Sequence, residues 1–441
     1  MTKLDFEKLF MKRLGAIKPG LGRMKSASEV MGNPSQNAHN ILVGGTNGKG
    51  GCSAFLWSLL ATRRVGLFTS PHLVSFTERM QVSGENIDEL QLSEVHEQLQ
   101  TKLGDGYEDL SFFEVATLMA YQLFHQKNCQ FNVMEVGLGG RWDCTNIVEP
   151  EASIICSISR DHEQFLGSDL KGILQEKLGI CRPHVPLFWG ASGEVLESQE
   201  ALDYLEEHTK EKNIPLHSWG VNFGIDGDRF FCGNKADEES YSTFPKILDT
   251  APSFIRRNFV MAVACYDYLS KRHGLQHWKT RIQGFPYADI QAPNSLVGRF
   301  QRVTLDDKYV IFDVCHNPDG MRQLSQNIKA KEANAKTAII SILRDKKFDE
   351  ILDIAKQCFS KIYLFAIEHD RGFGKGDLAS RHHDLEFFED FDASWTRVKQ
   401  DKGTEPLVIC GSVMAVGKVF EQFNLDPKQY SCQDVLQGTW P

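Results

Sequence analysis

Lys49 stands inside a run of small residues, Gly44-Gly45-Thr46-Asn47-Gly48-Lys49-Gly50-Gly51. The apolar stretch Ile41-Leu42-Val43 precedes it, and Phe55, Leu56, Leu59 and Leu60 follow at helical spacing. Strand, glycine-rich turn and helix in that order predict a cradle for phosphate. Glycines let the backbone approach an anion, N–H groups at a helix start point at it, and the helix dipole favours its charge. Lys49 adds a mobile positive charge. Further on, Glu135 closes the apolar run Phe131-Asn132-Val133-Met134. A carboxylate there is costly to bury without a partner, and after a phosphate cradle it is placed to hold Mg²⁺. Ser70, after the apolar run Val65-Gly66-Leu67-Phe68, would supply the hydroxyl that a P-loop normally puts on Mg²⁺, because Gly51 stands where that loop has Ser or Thr. The bland readings are a glycine-rich turn with one solvated lysine and an ordinary Ser-Pro turn. His162 closes another apolar run that ends in Arg160-Asp161-His162, as a structural histidine or a ligand.

These groups need rigid strand ends to hold them. Apolar runs at 41–43, 65–68, 131–136 and 153–158 alternate with helical patterns at 89–100, 112–126 and 170–181, which predicts an open α/β sheet that binds ligands at its carboxyl edge. An amphipathic helix is expected at the N-terminus. A loop from Lys18 to Met24 follows, kept out of regular structure by Pro19, Gly20 and Gly22. Residues 197–212 read as an acidic helix, 256–272 as a long helix and 285–296 as a linker. A second βα alternation follows, with strands at 309–314, 337–343, 361–366 and 406–410 and helices at 320–331, 347–358 and 412–423. The expected fold is α/β: a P-loop-containing N-terminal ATPase domain over 1–295 and a smaller Rossmann-like C-terminal domain over 296–441. Asp313 to Pro318 closes the first strand of the second domain and would face the cleft between the two.

The chain's 441 residues fit two domains. A net charge of −9 and no Lys/Arg block argue against nucleic acid as a partner. No apolar run of about eighteen residues predicts a membrane span, and the N-terminus lacks a signal peptide's apolar core. The 11 cysteines include no CxxC pair and read as reduced thiols of a cytoplasmic protein.

Taken in order, Gly45-Thr46-Asn47-Gly48-Lys49-Gly50, Thr69-Ser70-Pro71-His72-Leu73, Phe112-Phe113-Glu114, Glu135-Val136-Gly137-Leu138-Gly139-Gly140-Arg141, Asp161-His162, Glu176-Lys177-Leu178-Gly179-Ile180, Gly298-Arg299-Phe300-Gln301 and Asp313-Val314-Cys315-His316-Asn317-Pro318 resemble the folylpolyglutamate synthases and dihydrofolate synthases. The bacterial bifunctional FolC-type enzymes, of the Mur ligase superfamily, are most similar. The resemblance runs from about residue 15 to about residue 420 and implies an amide ligase using ATP and Mg²⁺. A carboxylate takes the γ-phosphoryl group to become an acyl phosphate, which L-glutamate's amine then attacks. The acceptor would be dihydropteroate or a reduced folate such as tetrahydrofolate.

By the same resemblance, Gly45 to Gly51 and Lys49 would hold the phosphates. Ser70 and Glu135 would hold one Mg²⁺, and His162 and Lys177 a second. A cationic lysine cannot ligate a metal, and the family implies that Lys177 is carbamylated. Asn258, Arg299 and Asp313 would contact ATP, and His316 would lie beside the phosphates. Gly22, Arg23 and Met24, with Ser111, Phe112 and Phe113, resemble a pterin pocket, and Arg141 a neighbour of substrate carboxylates. The family implies a monomer. Gly51, Trp142, Cys144, Cys315 and Asp319 depart from the family pattern. Gly51 and Asp319 motivate an alternative, a nucleotide-binding, catalytically weak paralogue. A Mur-type substrate carrying UDP would need a nucleotide domain ahead of Gly44, and a simple P-loop kinase gives no reason for the second βα domain.

Overall fold

The computed structural model describes residues 20–85, 87–284, 294–369, 371–374, 376, 382, 384–401 and 405–437. The expected N-terminal helix and most of the expected linker, 285–293, lie outside them. The chain divides into two compact units, 1–245 with 255–285 and 246–254 with 286–441.

The first unit is built on seven strands: β1 (His39–Gly44), β2 (Val65–Phe68), β3 (Met80–Val82), β4 (Phe131–Glu135), β5 (Pro150–Ile155), β6 (Leu187–Trp189) and β7 (Leu216–Ser218). Their order is β3-β2-β4-β1-β5-β6-β7, and β3 alone runs antiparallel to its neighbour. Ile41, Leu42 and Val43 of β1, Val65, Leu67 and Phe68 of β2, and Phe131, Val133 and Met134 of β4 are buried apolar residues, as strands inside a parallel sheet require. The chain leaves β1 toward β2 on one side, and β4 leads to β5 on the other. The carboxyl end of β1 therefore stands at the reversal of strand order, where such sheets bind ligands.

Helix α1 is Gly22–Val30, α2 Lys49–Leu60, α3 Glu89–Leu103 and α4 Phe112–Gln126. The residues of α2 from Gly50 to Leu60 are all buried, so it shows no polar face. Helices α3 and α4 each open on a capping box, from Asp88 and Ser111. Further on are α5 (Leu170–Leu178), α6 (Gln199–Glu211) and α7 (Ser253–His273). The expected loop ending at Met24 is corrected here: Gly22, Arg23 and Met24 form the first turn of α1. Gly20 takes the turn at φ +107°, and Gly22 sits where a helix does not yet need its own N–H bonded. A three-stranded antiparallel sheet, β8 (Phe223–Asp226), β9 (Arg229–Cys232) and β10 (Tyr241–Thr243), was not foreseen in the sequence.

The second unit carries β11 (Arg299–Leu305), β12 (Lys308–Asp313), β13 (Thr337–Ile340), β14 (Lys361–Phe365), β15 (Glu386–Phe388) and β16 (Leu407–Cys410). Their order is β11-β12-β16-β13-β14-β15, parallel except for β11. Helices α8 (Pro318–Lys331), α9 (Phe348–Lys356), α10 (Phe391–Gln400) and α11 (Val413–Gln422) alternate with them, as expected of a Rossmann-like sheet. Ile311, Leu324, Ile340, Leu352, Leu364 and Val408 lie in its core. Among the described residues no helix is long and apolar enough to cross a membrane.

Candidate active site

The glycine-rich turn joins β1 to α2. Gly45 (φ +135°) and Gly48 (φ +90°) hold conformations that disfavour any side chain, and a Cβ on Gly45 would lie 3.0 Å from the Cys156 amide nitrogen. The loop is braced by the continuation of β5. Thr46 Oγ1 donates to the Ser159 carbonyl and accepts from its amide, both at 3.0 Å. Ser157 Oγ accepts from the Asn47 amide at 2.9 Å and donates to the Asn47 carbonyl at 3.0 Å. Ser157 and Ser159 were not singled out in the sequence. Their only signal is the alternation of serine with apolar residues after Cys156.

Both lysines reach this loop. Lys49 Nζ donates to the carbonyls of Gly45 (3.1 Å) and Thr46 (3.0 Å), and Lys177 Nζ, from α5, donates to the same Gly45 carbonyl at 2.9 Å. Lys177 is buried. Burial, and then the charge of Lys49, bring its amine down to about 7, while the carboxylate of Asp161 opposes them. At neutral pH a large fraction of Lys177 is therefore a neutral, nucleophilic amine. His162 follows Asp161 in a left-handed conformation (φ +54°), and its Nε2 lies 3.9 Å from Asp161 Oδ2.

Ser70 and Glu135 close neighbouring parallel strands, and the Ser70 amide donates to Glu135 Oε2 at 2.9 Å. Glu135 is buried and within electrostatic range of Arg79. Arg79 is buried too, and burial lowers it to about 10. It donates to His72 Nδ1 at 2.8 Å and lies over the Phe76 and Phe112 rings.

Gly51 has a steric reason. A Cβ there would stand 2.7 Å from Asn258 Nδ2, and one on Gly48 would stand 2.7 Å from Asn258 Oδ1. The Asn258 carboxamide, from α7, thus occupies the space beside the first turn of α2 where a P-loop hydroxyl would project.

Arg23 and Glu114 form an ion pair at 3.1 Å, which brings α1 to the start of α4. Phe113 packs beside Phe68, with ring centroids 5.7 Å apart, and against Gly137, where no Cβ would fit. Met24 is fully buried in the core and packs α1 against the first unit. Phe112 is largely buried as well. Arg141 pairs with Glu176 and lies over the exposed Trp142 ring at 5.4 Å. Asp143, also unforeseen, is a buried carboxylate that accepts the amides of Gly137, Leu138 and Thr145 at about 3 Å.

In the second unit, Arg299 and Asp313 are register partners across β11 and β12. Asp313 accepts from the amides of Phe300 (3.0 Å) and Cys315 (2.9 Å), which ties both loops to the strand end, and burial raises its pKa. His316 Nδ1 lies 3.1 Å from the Val314 carbonyl. Asp319 accepts from Gln323 Nε2 at 3.0 Å in the first turn of α8.

Residues 298–413 match the family described as Mur ligase, glutamate ligase domain. With the glycine cradle, its two lysine amines and the carboxylate at the next strand end, this defines the class as an ATP-dependent ligase of the Mur ligase fold. The chain is 31% identical over 420 residues to the dihydrofolate synthase/folylpolyglutamate synthase of Escherichia coli K12, covering 94% of this chain and 91% of that one. It is 29% identical over 429 residues to the protein of the same name from Bacillus subtilis 168, covering 91% and 94%. It belongs to the dihydrofolate synthase/folylpolyglutamate synthase family. A bifunctional folylpolyglutamate synthase/dihydrofolate synthase crystallised with Mn, AMPPNP and L-glutamate superposes with a TM-score of 0.81 at 29% identity, covering 95% of this chain and 98% of that one. The E. coli FolC in complex with DHPP and ADP gives 0.80 at 29% identity, covering 95% and 96%. The main reading of the sequence stands over the catalytically weak alternative, and ATP with a divalent metal is the cofactor set that these relatives support.

Proposed function

We propose that the chain joins L-glutamate to the carboxylate of a folate-type acid, dihydropteroate in a first reaction and a reduced folate in chain extension. The observation that carries the chemistry is the meeting of Lys49 and Lys177 on one carbonyl of the glycine cradle. An acceptor carboxylate oxygen attacks the γ-phosphorus, the bond to ADP breaks, and an acyl phosphate results. The neutral amine of glutamate attacks the acyl carbon, inorganic phosphate leaves, and the nitrogen loses its extra proton as the amide forms. Two anions must meet in the first step, so the protein's task is positioning and charge neutralisation.

In this reading Lys49 and the amides from Gly45 to Gly51 cradle the β- and γ-phosphates, and Asn258 orients the nucleotide from α7. The donor set fits a divalent ion: Ser70 and Glu135 would hold one Mg²⁺, and His162 and a carbamylated Lys177 a second. Such ions neutralise charge between phosphate oxygens. A lysine amine lowered to about 7 can attack CO₂ at neutral pH, which supports the carbamate. Arg299, Asp313 and His316 serve ATP from the C-terminal domain, 296–441, a boundary supported by the family match beginning at 298. Gly22, Arg23, Met24, Ser111, Phe112 and Phe113 form the acceptor side, and Arg141 meets substrate carboxylate. The enzyme works as a monomer on small molecules in the cytoplasm, a reducing setting that suits its free thiols.

The test is ADP release with ATP, Mg²⁺ and L-glutamate, comparing dihydropteroate and tetrahydrofolate, with Glu135→Gln as control. Glutamate-dependent turnover that the variant loses supports the ligase and assigns the acceptor. ATP binding without turnover on either acceptor overturns the folate reading. A ¹³C carbamate resonance under ¹³CO₂, absent in Lys177→Met, tests the modification separately.

A further inference from the structure

We propose that His39, Glu151 and His273 form a binding site for one divalent transition-metal ion of the Zn²⁺ class, at the end of the first sheet remote from the glycine cradle. The three residues come from three rigid elements: the first residue of β1, the second of β5 and the last of α7. His39 Nδ1 lies 2.6 Å from Glu151 Oε2, and His273 Nε2 lies 2.7 Å from Glu151 Oε1. The three ligand atoms all fall within 4.8 Å of one another.

The backbone aims the carboxylate. Between β1 and β5 the register steps from Asn40↔Pro150 to Ile41↔Ala152, so Glu151 has no partner opposite it on β1. An extra residue of this kind bends the strand and re-aims its side chain. The imidazoles are held without a metal: their centroids are 4.2 Å apart, and each packs on Phe131, at 5.2 Å for His39 and 5.1 Å for His273. Two imidazole nitrogens and a carboxylate oxygen suit Zn²⁺, Co²⁺ or Ni²⁺ and suit Mg²⁺ poorly. The His39 side chain is 49% exposed, which gives an ion and its completing waters a way in. Arg272 opposes the ion, since its Nε lies 2.7 Å from Glu151 Oε1. Its side chain is 61% exposed and can swing into water. Strand β1 separates this cluster from the cradle by about 17 Å, at roughly 3.3 Å per residue, so the site is distinct from the Mg²⁺ positions proposed above. Bound there, the ion would clip the starts of β1 and β5 to the end of α7.

The experiment uses full-length protein stripped by chelator and then saturated with Mg²⁺ and AMPPNP. Zn²⁺ is titrated by calorimetry, and Co²⁺ is followed by its visible absorption. One Zn²⁺ per chain is expected, with a rise in Tm, because an ion that binds only the folded form stabilises it. His39→Ala and His273→Ala should each weaken binding by about tenfold or more and abolish the rise, while ligase activity under Mg²⁺ stays unchanged. His39 is half-exposed, so its variant keeps the proposal testable should His273→Ala fail to fold. Zn²⁺ binding that survives in both histidine variants, that disappears instead in His162→Ala, or that is absent from the wild type overturns the site.

Discussion

At the scale of single residues, the most informative group is Lys177. An unfolded lysine keeps its proton to about 10.5, whereas the folded one releases it near 7. Between those values the unfolded chain holds the extra proton, so this group makes stability rise with pH across that window. Below about 7 the full penalty of a buried charge is present. Lys177→Met, which leaves an apolar side chain of similar reach, should therefore raise Tm most at pH 6, with the gain shrinking toward pH 10, and should abolish ligation. Thermal unfolding across pH checks this, and a gain independent of pH would show that the amine is not depressed. Gly51 gives a second prediction. Restoring the usual hydroxyl with Gly51→Thr should not strengthen ATP binding, because the new side chain meets Asn258. We expect a loss of about 1–3 kcal/mol in denaturant unfolding, the ordinary scale of overpacking, and a higher KM for ATP.

At the scale of elements, one side chain gathers three successive amides of the segment between β2 and β3. Glu78 accepts the amides of Leu73 (2.7 Å), Val74 (2.7 Å) and Ser75 (2.5 Å) while buried. Burial raises its pKa, and those amides oppose the rise. Glu78→Ala would orphan three donors at a cost of about 1–3 kcal/mol each where water cannot replace them. It should lower Tm, speed proteolysis within 70–78 and reduce turnover, since Ser70 opens that segment. Unchanged proteolysis would mean that the loop is held by other means. The sequence made elements legible where periodicity was long. The alternation after 305 and helix α4 were readable because each strand or helix carries a full apolar pattern. The sheet β8-β9-β10 was not readable, since Gly224 and Gly227 interrupt strands of four residues or fewer. Helix α1 read as a loop because Gly20 and Gly22 look like breakers until one of them is seen as a turn and the other as a helix start. The positions of Lys49 at a helix start and of Ser70 and Glu135 at neighbouring strand ends were legible from local context alone. The bracing by Ser157 and Ser159, and the fit of Asn258 to Gly51, join residues far apart in sequence and needed the fold.

At the scale of the molecule, a chain of net charge −9 must gather anionic substrates. The long-range field opposes their approach, but it is screened beyond about 8 Å at physiological ionic strength. Inside that range Lys49 and the start of α2 dominate. Affinity for nucleotide should then rest on local cations and on a divalent ion shared with Glu135, and the stability of the whole protein can report it. A ligand at a hundred times its Kd stabilises the folded state by about 2.7 kcal/mol. ADP with Mg²⁺ should raise the Tm of the wild type more than ADP alone. In Glu135→Gln the increment from ADP alone should survive while the further increment from Mg²⁺ is lost. In Lys49→Met the nucleotide increment itself should fall. If Glu135→Gln kept the full Mg²⁺ increment, the carboxylate closing β4 would have no share in holding the metal, and its burial beside Ser70 and Arg79 would be a structural ion-pair arrangement instead.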